Sequence, residues 1–251
     1  MVTFVGAGSG APDLITVRGA KLLSQADVII YAGSLVNPAL LDYKKEGCAV
    51  YNSAEMTLEE VFAVMKGAED EGKMTVRLHT GDPCLYGAIK EQMELLDEAG
   101  ISYEVVPGVS SFCGAAAAVK AEYTLPQVSQ TVIITRMEGR TPVPEREKIR
   151  SLAAHQSTMV IFLSTGLLEG LSRELIAGGY APDTPAAIVY KATWPDEKVY
   201  RCTLSTLAET ARANHVTKTA LITVGGFLGS AYDRSLLYDP GFSHGCREAS
   251  K

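Results

Sequence analysis

Short apolar runs rich in β-branched residues alternate along most of this chain with apolar residues at helical spacing. Such alternation is typical of α/β proteins, in which helices connect successive strands. We predict strands in the first half at Val2–Val5, Val28–Tyr31, Ala49–Tyr51, Met74–Leu78 and Tyr103–Val106. We predict helices there at Thr16–Gln25, from about Thr57 onward, at Leu85–Ala99 and at Ser110–Val119. The fold class is therefore α/β, and Thr57 with Glu60 indicates a capping box.

The second half repeats the alternation after a polar segment, residues 120–130. We predict its strands at Thr131–Thr135, Thr158–Leu163, Ala186–Tyr190, Lys198–Thr203 and Leu221–Val224, and its helices at Arg146–Ala154, Leu167–Ala177 and Leu204–Asn214. TWPDEK, Thr193–Lys198, favours a hairpin-like turn and thus a mixed sheet. We expect an N-terminal domain over residues 1–119, a linker over 120–130 and a C-terminal domain over 131–251. After Gly225 we expect an irregular tail with a frayed end, anchored by Leu236, Leu237 and Tyr238.

Charge and composition limit the partners of the chain. The formal net charge is -6, and the basic residues are scattered, which argues against nucleic acid binding. No apolar run approaches the roughly 20 residues of a membrane span, and the start lacks the pattern of a secretory signal. The five cysteines form no C-x-x-C motif and the four histidines are isolated, so we expect reduced thiols and no protein-bound metal. These features predict a soluble, cytoplasmic protein that binds a small molecule.

The stretch VGAGSGAPDLIT, Val5–Thr16, follows the first predicted strand and has the glycine spacing of a dinucleotide-binding loop. However, Pro12 removes a backbone donor, and Asp13 places a negative charge where a pyrophosphate would bind. The second strand also ends in Tyr31 and Ala32, without the acidic residue that holds a ribose hydroxyl. A nicotinamide-dependent oxidoreductase remains the alternative from another enzyme class. A tight strand-to-helix turn is the purely structural alternative.

Two further turns follow predicted strands. HTGDPCLYGA, His79–Ala88, allows close backbone approach at Gly81 and offers a carboxylate at Asp82. VPGVSSF, Val106–Phe112, turns the chain and presents two serines, for which helix capping is the structural alternative. Loops at the carboxyl ends of strands in an open α/β sheet face a common crevice, so we expect the three turns to converge. They contain no Lys or Arg, which favours a neutral or zwitterionic, nucleoside-like ligand.

In this order, the three turns resemble those of the tetrapyrrole methyltransferases that use S-adenosylmethionine, and the resemblance extends over nearly the whole chain. Within that family, YAGSLV at Tyr31–Val36 and TLPQVSQTVIITR at Thr124–Arg136 are similar to the precorrin-4 C-11 methyltransferases of cobalamin synthesis. The resemblance implies two α/β domains with mixed sheets, a ligand cleft between them, and usually a homodimer. It implies methyl transfer to C-11 of precorrin-4 or its cobalt complex, giving the corresponding precorrin-5 and S-adenosylhomocysteine. Another tetrapyrrole methyltransferase of the same pathway is the alternative within the family, and whether the substrate contains cobalt stays open.

The resemblance also implies site residues. Cofactor contacts are expected from Thr80, Gly81, Asp82, Leu85, Tyr86, Ser110, Ser111, Leu163, Ala192, Thr219 and Ala220. The loop from Gly6 to Pro12 is expected to face the tetrapyrrole, with substrate contacts from Gly8, Ser9, Gly10, Asp13 and Arg136. The sequence departs from the family at two places. Relatives usually have G-P-G-D where this chain has Ser9, Gly10 and Ala11, and the aspartate that follows the second strand in uroporphyrinogen methyltransferases is Ala32 here.

The implied chemistry needs few protein groups, because a sulfonium methyl is already electrophilic and the protein mainly aligns it and excludes water. For the carboxylates of the tetrapyrrole, Arg18, Arg136 and Arg140 are the candidate partners. Asp13 is a candidate for proton uptake, with loop capping as the alternative. We expect His79 to be a structural hydrogen-bonding residue rather than a base. Methylation of a protein side chain, as in diphthine synthases, is a rival that YAGSLV argues against, and a non-catalytic ligand-binding module is another.

Overall fold

The computed structural model describes residues 1–229 and 231–250, which form two compact units, each built on one sheet. Unit 1 comprises Met1–Gly114 together with a short later segment, Ala192–Asp196. Unit 2 comprises Ala115–Lys191 and the chain from Glu197 onward. The predicted α/β class is confirmed. Of the two sheets, that of unit 2 is mixed, whereas that of unit 1 is wholly parallel.

Sheet 1 has the strand order β3-β2-β4-β1-β5. Its strands are β1 (Val2–Gly6), β2 (Val28–Tyr31), β3 (Ala49–Asn52), β4 (Thr75–His79) and β5 (Tyr103–Val106). The helices that follow them are α1 (Val17–Gln25), α2 (Leu58–Asp70), α3 (Lys90–Glu98) and α4 (Ser111–Val119). Strand β1 is fully buried between β4 and β5, as expected for an apolar run in a sheet covered on both faces. This order makes the turns after β1, β4 and β5 neighbours.

The helix boundaries of unit 1 follow from local chemistry. The side chain of Thr16 accepts a hydrogen bond from the Gly19 amide at the start of α1, and the capping box predicted at the start of α2 is confirmed. The prediction for α3 was wrong at its start, because residues 85–89 lie outside the helix. Tyr86 and Ala88 have left-handed backbone, with φ of 57° and 49°, which interrupts a right-handed helix.

Sheet 2 has the strand order β6-β7-β10-β8-β9. Its strands are β6 (Val132–Arg136), β7 (Thr158–Phe162), β8 (Pro185–Tyr190), β9 (Lys198–Thr203) and β10 (Ala220–Val224). The helices are α5 (Ile149–Ala153), α6 (Leu168–Ala177) and α7 (Leu207–Ala213). Strands β6 and β7 are parallel, and the other neighbours are antiparallel. The predicted hairpin is confirmed, because β8 and β9 pair from Pro185 with Thr203 to Tyr190 with Lys198.

Three predictions for the second half need correction. Helix α5 is shorter than predicted because Lys148 has extended backbone, and residues 145–147 before it form a 3-10 turn. Helix α7 likewise begins after a 3-10 turn, Leu204–Thr206. The side chains of the supposed tail anchor are exposed, by 60% at Leu236, 59% at Leu237 and 72% at Tyr238. Within the tail itself, the guanidinium of Arg247 donates to the carbonyl oxygens of Leu237, Asp239 and Phe242 and so orders this segment internally.

Both sheets have substantial apolar cores, and that of sheet 2 includes the fully buried Met159, Ile161 and Leu171. On one face of sheet 1 the core includes Phe4, Met65 and Leu96, and on the other face it includes Leu23 and Ile29. All five side chains are fully buried. Burying each such side chain stabilises the fold by about 1.5–3 kcal/mol relative to exposure. Within the described residues, no helix combines the length and apolar character needed to cross a membrane.

Candidate functional site

Three glycines from the three predicted turns touch one another at the carboxyl ends of β1, β4 and β5. A Cβ atom at Gly6 would lie 2.5 Å from the Gly108 Cα and 2.6 Å from the Gly81 carbonyl oxygen. A Cβ atom at Gly108 would lie only 2.1 Å from the same oxygen. No side chain fits at such distances, so glycine is required for this close approach. The expected convergence of the turns is confirmed, and we call this arrangement the triple-glycine contact.

Hydrogen bonds reinforce the triple-glycine contact. The amide of Gly8 donates to the Gly81 oxygen at 3.3 Å, and the Gly81 amide donates back to the Gly8 oxygen at 3.0 Å. The Asp82 carboxylate accepts from the Cys84 amide at 2.8 Å through Oδ1 and from the Gly108 amide at 2.9 Å through Oδ2. Asp82 therefore joins two of the turns, and its oxygens keep further lone pairs for a ligand.

The other predicted cofactor residues of unit 1 flank this contact. Ser110 is 7% exposed, and its Cα lies 3.4 Å from the Cβ position that Gly81 lacks. Its carbonyl oxygen accepts from the amides of Cys113 and Gly114, at the start of α4. Tyr86 is 45% exposed. Thr80, Leu85 and Ser111 are half-buried. The structure thus brings Gly81, Asp82 and Ser110 together.

The middle of the predicted loop Gly6–Pro12, residues Gly8–Ala11, is held by residues that the sequence did not identify; we call Gly8–Ala11 the substrate loop. The Ser9 hydroxyl is buried and lies 3.2 Å from the Thr193 hydroxyl. Thr193 Oγ1 also accepts from the Ala11 amide at 3.0 Å, and the Asn37 side chain donates to the Gly10 oxygen at 2.9 Å. The one sequence feature that could have pointed to the segment around Thr193 was the single tryptophan, Trp194, within a polar turn.

The charged candidates have different surroundings. Asp13 lies in a 3-10 turn, Pro12–Leu14, and its exposed carboxylate makes no hydrogen bond or ion pair with the described part of the chain. The loop-capping alternative therefore has no support. Arg18 and Arg140 are exposed. The guanidinium of Arg136 donates to three backbone oxygens, those of Met137, Thr141 and Pro142. Arg136 thus orders the loop that follows β6.

Two basic side chains on β4 are buried, of which the sequence pointed only to His79. Arg77 is 6% exposed and donates to the Gln92 side chain at 3.0 Å and to the Ile30 oxygen at 3.2 Å, while burial lowers its pKa to about 10. His79 is 3% exposed, and burial, with a smaller effect of the Arg77 charge, lowers its pKa to about 3. Its Nε2 atom has no hydrogen-bond partner within residues 1–229 and 231–250. The expected hydrogen-bonding role is therefore wrong at this atom, and the imidazole is neutral at physiological pH.

In unit 2, three predicted cofactor residues lie at one end of sheet 2. Leu163 directly follows β7 and is 64% exposed, although it is apolar. Ala220 begins β10, and its oxygen accepts from the Thr165 hydroxyl at 3.0 Å. The Thr219 oxygen accepts from the Lys191 amide at 3.0 Å. The fourth predicted residue, Ala192, is part of unit 1.

Strained backbone occurs at three of the eleven predicted cofactor residues. Tyr86, Leu163 and Thr219 all have left-handed φ, at 57°, 52° and 58°. Lys191 and Thr193, on either side of Ala192, have φ of 46° and 68°. Each such residue costs of order 1–3 kcal/mol and persists only where its surroundings enforce it, often at functional sites. Left-handed backbone also occurs at Lys120 and Gln156, outside the predicted site, so the ligand-binding role of these positions stays a prediction.

We predict that Leu163→Gly leaves the free energy of unfolding unchanged or raises it by up to about 1 kcal/mol, because glycine relieves the left-handed strain. Because the resemblance implies that Leu163 contacts the cofactor, we expect the same variant to bind S-adenosylhomocysteine about tenfold more weakly, since burying a leucine side chain against a ligand is worth about 1.5 kcal/mol or more. Urea unfolding and calorimetry measure the two effects. Lys120→Gly is the matched control, because Lys120 is exposed with φ of 53°. Equal ligand affinity in the Leu163 and Lys120 variants would contradict a binding role for Leu163.

The described residues contain no group of three His, Cys, Asp or Glu side chains that could hold a metal ion. All five cysteines, at positions 48, 84, 113, 202 and 246, are free thiols. The predicted cofactor residues of unit 1 offer backbone groups, the hydroxyl groups of Thr80, Tyr86, Ser110 and Ser111, and one carboxylate, that of Asp82.

Curated relatives match this chain over nearly its whole length. A cobalt-precorrin-4 C(11)-methyltransferase from Methanocaldococcus jannaschii is 55% identical, covering 100% of this chain and 97% of the relative. An enzyme of the same name from Priestia megaterium is 51% identical, covering 98% and 97%. A precorrin-4 C(11)-methyltransferase from Pseudomonas aeruginosa is 44% identical, covering 96% and 99%.

Solved structures and a family model agree with these relatives. The X-ray structure of a cobalt precorrin-4 methyltransferase, a cobalamin biosynthetic enzyme, superposes with a TM-score of 0.89 at 52% identity, covering 91% of this chain and 96% of the other. A uroporphyrin-III C-methyltransferase from Thermus thermophilus, complexed with S-adenosylhomocysteine, has a TM-score of 0.75 at 27% identity, covering 90% and 92%. The model for tetrapyrrole (corrin/porphyrin) methylases matches residues 1–208. The chain therefore belongs to the tetrapyrrole methylase family.

Proposed function

We propose that this chain transfers a methyl group from S-adenosylmethionine to C-11 of cobalt-precorrin-4, giving cobalt-precorrin-5 in cobalamin biosynthesis. The observation that carries the proposal is the 55% identity, over all of this chain, to a relative named for that reaction. The cobalt form of the substrate is favoured because the cobalt-named relatives are 55% and 51% identical, whereas the precorrin-4 enzyme is 44% identical.

The residues present fit S-adenosylmethionine, whose bound form supplies an electrophilic methyl group on a sulfonium. The three turns contain no Lys or Arg, Asp82 supplies a carboxylate, and the buried His79 is neutral because its pKa is about 3. This electrostatic environment suits a cationic ligand better than a phosphate. We assign the polar contacts to Thr80, Gly81, Asp82, Ser110 and Ser111. We assign the apolar contacts to Leu85, Tyr86, Leu163 and Ala192, with Thr219 and Ala220 contributing at the end of sheet 2.

The role of the protein in this reaction is mainly one of alignment. Methyl transfer forms a bond between the methyl carbon and C-11 and breaks the bond between that carbon and sulfur, and S-adenosylhomocysteine leaves. The substrate loop Gly8–Ala11 orients the ring, and exclusion of water protects the reacting carbon. Asp13, whose carboxylate is exposed and unpaired within the described chain, is the candidate proton acceptor. Arg136, Arg18 and Arg140 are the candidate partners of the substrate carboxylates.

The test is incubation of the purified chain with methyl-labelled S-adenosylmethionine and enzymatically prepared cobalt-precorrin-4 or precorrin-4. We expect label in a corrinoid product that is one methyl group heavier, formed faster from the cobalt substrate. Faster transfer to precorrin-4 would contradict the choice of the cobalt form. If neither substrate accepts label from protein that binds S-adenosylhomocysteine in calorimetry, the proposed reaction is wrong. Protein that binds no S-adenosylhomocysteine would contradict methyl transfer altogether.

We also propose that the chain acts as a homodimer in the cytoplasm. Support for self-association comes from large apolar side chains exposed in the tail, at Tyr232, Leu236, Leu237 and Tyr238, since exposed apolar patches commonly mark interfaces. Support for the compartment comes from the five free cysteines, which suit a reducing environment.

A further inference from the structure

Unit 1 contains one segment from far along the sequence, residues 192–196, which we call the strap. The strap belongs to the connection between β8 and β9, yet it packs with unit 1. It lies against the substrate loop Gly8–Ala11. A simple hairpin needs only a short turn between its two strands. The hairpin alone therefore does not explain why this connection packs against the substrate loop.

The first strap contact is made by the hydroxyl of Thr193. It accepts a hydrogen bond from the Ala11 amide at 3.0 Å and lies 3.2 Å from the Ser9 hydroxyl. The methyl group of Thr193 lies 3.2 Å from the Cβ position that Gly114 lacks. One threonine side chain therefore contacts both ends of the Ser9–Ala11 stretch and the start of α4.

The second strap contact is made by Trp194. A Cβ atom at Gly10 would lie 2.2 Å from the Trp194 Cδ1 and 2.4 Å from its Nε1, so the indole covers the Gly10 backbone. The Ala192 carbonyl oxygen lies 2.8 Å from the same position. From the segment that follows β2, the Asn37 side chain donates to the Gly10 oxygen. Gly10 is thus enclosed by Trp194, Ala192 and Asn37.

These contacts restrain a loop that its sequence makes flexible. Gly8 and Gly10 have φ of 82° and 152°, and glycine loses more conformational freedom on ordering than any other residue. The strap itself is held in strained backbone, with φ of 68° at Thr193 and 46° at the preceding Lys191. Strain of this kind is retained where the surrounding contacts enforce it.

We propose that Thr193 and Trp194 are positioning residues, which hold the loop Gly8–Ala11 ready for the tetrapyrrole and join it to Ala192 of the cofactor site. The proposal rests on the proposed function for the identity of the ligands. Because Ala192 and Thr193 are consecutive, a displacement of the strap by ligand at Ala192 is transmitted directly to Ser9 and Ala11. Neither residue needs to touch the reacting atoms.

The test is Thr193→Val, which keeps the branched shape and the strain of the backbone but removes the hydroxyl. We expect amide hydrogen exchange at Ala11 to become about tenfold faster, in line with the loss of one hydrogen bond. We expect the KM for the tetrapyrrole to rise about tenfold while kcat changes by less than about threefold, because the loop must be ordered by the substrate itself. Ser9→Ala removes the Ser9–Thr193 contact but not the bond from the Ala11 amide to Thr193, so its effect on exchange at Ala11 should be smaller in the same direction.

The matched control is Thr206→Val at the junction of β9 and α7. Thr206 Oγ1 accepts from the Thr203 amide at 3.1 Å, so this variant also loses a backbone-to-threonine hydrogen bond. It should lower stability to a similar degree without changing the exchange at Ala11 or the KM. Unchanged exchange or an unchanged KM in Thr193→Val would overturn the proposal. If the wild-type protein transfers no methyl group, only the proposed function is contradicted. The restraint of the loop can still be tested, because hydrogen exchange at the Ala11 amide does not require turnover.

Discussion

Replacing Gly108 by alanine is expected to lower the free energy of unfolding by about 3 kcal/mol and to abolish S-adenosylhomocysteine binding. The added Cβ would lie 2.1 Å from the Gly81 oxygen and 2.6 Å from the Gly6 Cα. Both neighbours are backbone atoms of strand-anchored turns, so neither can move aside by a change of rotamer. The turns must separate, which also removes the hydrogen bond from the Gly108 amide to Asp82.

Urea unfolding and calorimetry with S-adenosylhomocysteine measure the two effects of Gly108→Ala. The matched control is Gly67→Ala, because nothing lies within 4 Å of the Cβ position of Gly67 in the middle of α2. There alanine should stabilise the protein by about 0.5–1 kcal/mol through helix propensity and leave ligand affinity unchanged. Wild-type affinity in Gly108→Ala would show that the triple-glycine contact does not organise the proposed cofactor site.

The position of this contact was predictable from sequence because it depends on local patterns. Apolar runs predicted the strands, and turns rich in Gly and Pro marked their carboxyl ends, so the convergence of three turns followed from the geometry of a parallel sheet. The family resemblance added the chemistry. The order β4-β1-β5, which makes the turns neighbours, was not predicted, since strand order depends on tertiary packing.

What the sequence did not predict depends on contacts between distant residues. The hydrogen bond between the Ala11 amide and Thr193 joins positions 182 residues apart, and no local pattern encodes it. The helix expected from Leu85 begins only at Lys90, because two residues in the turn before it have left-handed backbone. The helix propensity of the residues in this turn does not reveal that conformation. The prediction that Leu236 and Leu237 anchor the tail was wrong for a similar reason. Their apolar character does not decide whether the fold offers a surface that can bury them.

Burial of the neutral His79 should make the protein unstable in acid. Its pKa is lowered from 6.5 to about 3 in the folded state, so between these values the unfolded chain binds a proton that the folded chain does not. The free energy of unfolding therefore falls as the pH falls below about 6.5, by about 1.4 kcal/mol per pH unit from this residue. Above pH 6.5 both states are neutral at His79, and the contribution is constant.

We expect His79→Leu to remove this part of the pH dependence. Between pH 7 and pH 4.5, the free energy of unfolding measured in urea should fall by about 2.7 kcal/mol less in the variant than in the wild type. The carboxylates that also titrate in this range are the same in both proteins, so the difference isolates the histidine. His155→Leu is the matched control, because His155 is exposed and its replacement should leave the wild-type pH dependence intact. Parallel curves for wild type and His79→Leu would mean that His79 gains a proton without unfolding. In that case the orphaned Nε2 atom would have access to water, and the neutral environment assigned to the cofactor turns would be wrong.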